Sequence, residues 1–119
     1  MLPQPYSDAY AHLQQTLRDL EGCLQDEPDM PGLTLGLTTV QTQFQTQVLA
    51  LSPTVLSPTQ CQSIQAVQPE IHKYLRLLRT DLAFLQAARQ SSTRQQRCAL
   101  MRDRVQTLIR LCDYLNRLE

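Results

Sequence analysis

Strand-forming residues are scarce in this sequence: valine and isoleucine together supply eight of 119 residues, against 21 leucines and 17 glutamines. β-structure favours β-branched and aromatic residues, whereas the leucine and glutamine that predominate here are unbranched at Cβ and lose little rotamer freedom in a helix. An all-α fold is the expectation. No apolar run approaches the roughly 20 residues needed to cross a bilayer, so no membrane-spanning segment is expected. The opening MLPQPYSDAY has neither the basic start nor the apolar core of a secretion signal, which points to a cytoplasmic protein. Cys23, Cys61, Cys98 and Cys112 form no CxxC pair, and in a reducing compartment free thiols are expected.

The residues of reaction chemistry are equally thin. His12 and His72 are the sole histidines, and there is no HExxH, no paired ExxH, no cysteine pair at ligand spacing and no glycine-rich phosphate loop. Glu70, Asp81 and Asp103 form no paired-carboxylate motif. No metal, cofactor, small-molecule substrate or catalytic residue is therefore expected, and the chain reads as a non-enzyme.

What is present is helical periodicity. The organising stretch is 57–90, where Ser57 and Pro58 read as an N-cap followed by proline at the first helical position. Ile64, Val67, Ile71, Leu75, Leu78, Leu82 and Leu85 then recur at steps of three and four. A helix over 58–90 is about 50 Å long at about 1.5 Å per residue. Pro69 inside it predicts a bend near 65–69 or a break at the proline.

The remaining chain gives three further stripes. Residues 1–5 read as a loose arm, and a first helix starts near Tyr6 or Ser7 with Tyr6, Tyr10, Leu13, Leu17, Leu20 and Leu24 as its seam. The segment 25–32 (QDEPDMPG) reads as a loop. A second helix carries Leu33, Leu37, Val40, Phe44, Val48 and Leu51, weakened early by Gly36 and clothed in uncharged Thr and Gln over 38–47. After a second breaker at 51–58 comes the spine. The last helix, capped by Ser92 or Thr93, has a seam of Cys98, Met101, Val105, Leu108, Cys112 and Leu115. One domain over 1–119 follows: a four-helix bundle with an unusually long third helix.

Zero net charge conceals an asymmetry. Residues 1–57 carry Arg18 against six acids, and residues 58–119 carry ten basic groups against five acids. Either the two halves neutralise each other, or a basic face is offered to an acidic partner. On the spine, Leu77 and Phe84 stand roughly 110–140° from the apolar stripe at about 100° per residue, and Ala88 extends their line. Lys73, Arg76 and Asp81 flank it, and Arg79, Arg89, Arg94 and Arg97 give a basic surface around it. The line is either the second face of a central helix, the seam of a homodimer, or a groove for another protein. Nucleic acid is disfavoured by the neutral total, the single lysine and the lack of aromatic–basic alternation, although an arginine-rich half leaves weak binding as an alternative.

The run EIHKYLRLLRTDLAFLQAARQSSTRQQR over 70–97 resembles the most characteristic portion of PatD, a small cyanobacterial protein family that influences heterocyst frequency. The opening MLPQPYSDAY and the ending DRVQTLIRLCDYL are similar to that family in position and character. Leu75, Arg76, Leu78, Asp81, Phe84, Leu85, Gln86, Ala87, Ala88 and Arg89 fall in the recurring part of the pattern. The resemblance implies a non-catalytic regulator of cell division and differentiation, with the tubulin-like division protein FtsZ as partner.

Overall fold

The leucine stripes fold as four α-helices: α1 (Gln4–Gly22), α2 (Met30–Gln43), α3 (Pro58–Ala87) and α4 (Ser91–Asn116). The structure, a computed structural model, describes residues 2–25 and 27–118, and among these there is no strand. Each helix packs on its neighbours in the chain and α4 returns to α1, giving a ring in the order α1–α2–α3–α4. The molecule measures 50 × 19 × 18 Å. The 30 residues of α3 span about 45 Å, nearly its full length, so the expected bundle with a long third helix is the observed one.

All six seam residues expected for α1 are buried. Its start differs from expectation. Met1 lies outside the described residues, but Leu2 is in the core and the helix begins at Gln4, with Pro5 in its first turn. Proline there sacrifices no hydrogen bond and its fixed φ suits the helix, so the arm is recruited rather than loose.

Within the loop expected over 25–32, Asp26 lies outside the described residues, and α2 already starts at Met30. Asp29 caps it, its Oδ1 accepting from the Gly32 amide at 3.1 Å, which satisfies one of the orphan donors of the first turn. Gly36 marks the close approach of α1 and α2: a Cβ there would stand 2.5 Å from Leu20 Cδ1. Val40, Phe44 and Val48 are spaced by four, which drifts off a 3.6-residue period. The chain corrects the drift by widening into a π turn over Phe44–Val48, closed by the Leu49 amide on the Phe44 carbonyl at 2.9 Å, and both Phe44 and Val48 stay buried.

At the head of α3, Ser57 caps as the sequence suggests, and reciprocally. Its Oγ accepts from the Gln60 amide at 3.1 Å while Gln60 Oε1 accepts from the Ser57 amide at 3.0 Å. Ser57→Ala is expected to lower stability by about 1 kcal/mol, read as a lower urea midpoint at unchanged slope. The helix then runs unbroken through Pro69. Pro69 and Gln65, whose carbonyl loses its donor, are both exposed, so water takes over the missing bond and no break results.

α3 ends at Ala87, short of the expected 90. Arg94 Nη1 donates to the Leu85 and Ala88 carbonyls, each at 3.2 Å, so a guanidinium of α4 serves as the C-cap of α3. Ser92 and Thr93 do not cap α4; its N-cap position is Gln90, which makes no side-chain capping bond. The α4 seam is buried as expected. Cys98 and Cys112 lie in it, and all four cysteines are unbridged, Cys23 and Cys61 being partly exposed.

Candidate protein-binding surface

The outward side of α3 is built by the residues left over once the core stripe is turned inward. Thr80, Ala83 and Ala87 form a low floor on the helix ridge, bounded by Arg79 toward α2 and by Phe84 toward α4, and together they line an open depression of 560 Å³. Phe84 is 55 % exposed. A large aromatic ring left in water costs hydrophobic free energy that burial against a partner would recover, about 25 cal/mol per Å² of apolar area.

Phe84 is held rather than loose. The Arg97 guanidinium lies 4.7 Å from its ring centroid, a cation–π contact. Arg97 is in turn fixed by Asp81, whose Oδ1 accepts from Arg97 Nη1 at 3.1 Å and whose Oδ2 accepts from Arg104 Nη1. Arg104 also donates to the Leu77 carbonyl at 3.4 Å. The Asp81 carboxylate is 1 % exposed, and its two arginines remain partly solvated.

These contacts redraw several expected roles. Asp81, expected on the exposed line, is buried and engaged within the chain, because its position on α3 turns toward α4. Leu77 and Ala88 are partly covered, which leaves Phe84 as the exposed apolar member of the line. Arg94 and Arg97, expected on the basic surface, are partly buried and committed to α3. Lys73 pairs with Glu70 at 2.7 Å, and that carboxylate holds the ammonium pKa above its usual value. Arg76, Arg79 and Arg89 remain exposed and, among the described residues, have no ion-pair partner.

Arg104 was not singled out by periodicity, yet a signal for it exists. Arg97 and Arg104 are seven residues apart, on one stripe beside the α4 seam, and Asp81 sits at the matching edge of α3. A basic pair flanking a buried stripe, with one acid across from it, is the pattern of an interhelical clasp.

The asymmetric charge also finds an answer. All four ion pairs among the described residues join groups within 58–118. No ion pair there links the acidic first half to the basic second half. Cancellation is therefore global, not local, and unpaired guanidinium groups stand on the α3 side.

Among the described residues no cluster of three His, Cys, Asp or Glu side chains is placed to hold a metal ion, and no helix is long and apolar enough to cross a membrane. Fold and surface together define an elongated all-α bundle that displays an anchored aromatic ring beside free arginines. No protein-family model, curated protein or solved structure matches the chain.

Proposed function

We propose that this chain is a non-catalytic regulatory module that binds another protein through the outer face of α3. The observation that carries the reading is Phe84, 55 % exposed yet held in place by Arg97 beneath the hold of Asp81. An aromatic side chain whose position is already fixed loses little entropy on binding, which is the property of an interface anchor. The resemblance of 70–97 to PatD supports FtsZ as the partner, and with it an action on cell division or heterocyst frequency.

Self-pairing through the same face is the weaker alternative. A two-fold axis places each patch against its own copy, so Arg79 would meet basic groups across the axis with no acid on the floor between them. Binding of nucleic acid by the second half is weakened because Arg94, Arg97 and Arg104 are already engaged.

Phe84→Asp tests the reading. Because the ring is exposed, the variant is expected to fold and to keep its thermal midpoint to within about 3 °C. Its association with purified FtsZ, followed by co-sedimentation at low salt, is expected to fall at least about tenfold, the scale of an anchor residue. Undiminished binding by the variant removes the α3 face from the interface, and absence of wild-type binding at micromolar concentration removes FtsZ. Sedimentation equilibrium on the free protein separates the self-pairing alternative, which requires a mass that rises with concentration.

A further inference from the structure

The forty residues 30–69 contain no Asp, Glu, Lys or Arg. All of α2 lies in that stretch, so the wall that α2 presents to α3 offers no carboxylate. Facing it are Arg76 and Arg79, whose guanidinium groups make no ion pair or hydrogen bond among the described residues. Three depressions run together here. Gln41, Gln45, His72, Arg76 and Arg79 border the first, of 150 Å³; Gln41 and Arg79 are shared with the second, of 160 Å³. Arg79 is shared again with the third, the 560 Å³ floor that ends at Phe84.

The polar groups of the α2 wall are sorted in a way that bears on what fits. The hydroxyls of Thr34, Thr38 and Thr42 donate to carbonyls one turn back in their own helix, at 2.9–3.0 Å. They are spent. The Gln41 and Gln45 amides have no partner among the described residues, leaving donors and acceptors on a neutral wall opposite two uncompensated guanidinium groups. Such a trough suits a ligand that brings carboxylates and a peptide backbone together.

We infer that the α2–α3 crevice, continued over the Thr80–Ala83–Ala87 floor to Phe84, receives a short acidic segment of a partner protein. The inference rests on the protein-binding reading above and specifies the chemistry of the partner. Arg76 and Arg79 are one turn apart, with Cβ atoms about 5–6 Å from each other, and clasp two neighbouring carboxylates. Phe84 lies eight residues beyond Arg76, about 12 Å along the helix axis, which an extended chain covers in roughly four residues. The occupant thus carries paired acids followed at that distance by a large apolar side chain, which lies on the floor against Phe84. Phosphate backbones fit less well: two guanidinium groups leading onto an apolar floor do not form the cationic track that a nucleic acid requires.

Fluorescence anisotropy with the full chain tests this directly. The probe is fluorescein-labelled Gly-Glu-Glu-Ala-Ala-Leu-Phe-Gly at low salt, compared with the same peptide carrying glutamine for both glutamates and with an oligothymidylate of eight nucleotides. The acidic peptide is expected to bind at least about tenfold more tightly than its glutamine counterpart, and Arg76→Gln/Arg79→Gln to remove about tenfold of that affinity. The thermal midpoint should not move, since both side chains are exposed, and Arg110→Gln on α4 should leave binding unchanged. Equal affinity for the two peptides, no binding up to about 1 mM, or an unaffected double variant overturns the inference. Tighter binding of the oligothymidylate overturns it in favour of a phosphate ligand. If the acidic peptide fails while FtsZ still depends on Phe84, the acidic chemistry falls and the protein-binding reading stands; if FtsZ fails while the peptide binds through Arg76 and Arg79, the partner falls and the surface stands.

Discussion

Asp81→Ala is expected to destabilise the fold by about 3 kcal/mol, the lower end of the cost of breaking a buried ion pair. The lower end applies because Arg97 and Arg104 retain 29 % and 21 % side-chain exposure, so water relieves part of the charge each loses. For a chain of this length the thermal midpoint should drop by about 10 °C. The loss measures two stranded guanidinium groups more than it measures the value of the pair. Asp81→Leu combined with Arg97→Met and Arg104→Met should therefore regain most of the stability, since a clasp replaced wholesale by apolar side chains leaves nothing unpaired. A triple variant no more stable than Asp81→Ala would show instead that the pairing itself holds α3 to α4. Chemical denaturation of the three proteins reads the difference. Phe84 supplies an internal check, because Arg97 loses its anchor in Asp81→Ala and the ring its cover.

Alkaline pH is expected to unfold the protein through Cys112 and Tyr10, both fully buried in the core and near enough to interact electrostatically. Burial pushes the Cys112 thiol from its ordinary 9.0 up to about 12. Burial also pushes the Tyr10 hydroxyl from 10.0 up to about 12, against the hydrogen bond donated by Gln68 Nε2 at 3.2 Å and with further upward pressure from Cys112 and Tyr6. Both groups are neutral when protonated, and both hold the proton more tightly in the folded chain. Their contribution is complete below pH 9.0 and 10.0 respectively and is lost as pH rises toward about 12. Each titrating group steepens the fall of stability by about 1.4 kcal/mol per pH unit. Urea midpoints measured at pH 8, 9, 10 and 11 should hold and then decline, and Cys112→Ala should reduce the slope above pH 9 by about that amount. An unaltered slope in the variant removes Cys112 as the cause. The same burial predicts that Cys112 is the thiol slowest to react with iodoacetamide in the native protein.

The core was legible in the sequence because it depends on period alone. Every residue of the α1 and α4 seams that spacing nominated is buried, and Ser57 caps α3 through the partner three residues on. Boundaries were less legible where proline acts. Pro5 and Pro31 read as breakers but sit in the first turns of α1 and α2, and Pro69 is carried within α3 because its exposed side lets water replace the lost bond. The surface was partly legible: Phe84 and Arg79 stand where the helical wheel puts them. Asp81 does not act as a surface group, since a wheel drawn for one helix cannot say which neighbour covers an edge position. Arg94, Arg97 and Arg104 belong to that same blind spot, their partners lying on the preceding helix.

The ring order of the helices fixes when the domain can close during synthesis. α1 can pack on α2 as soon as that helix is made, but its more extensive contact waits for α4: Gln14 donates to the Ile109 carbonyl 95 residues later, and Asn116 to the Ser7 carbonyl 109 residues earlier. At about 5–20 residues per second, a ribosome keeps α1 waiting roughly 5–20 s for that contact. Until then the sides of α1 and α3 that α4 will cover face solvent or a chaperone, so the nascent chain is most prone to aggregation just before its last helix arrives.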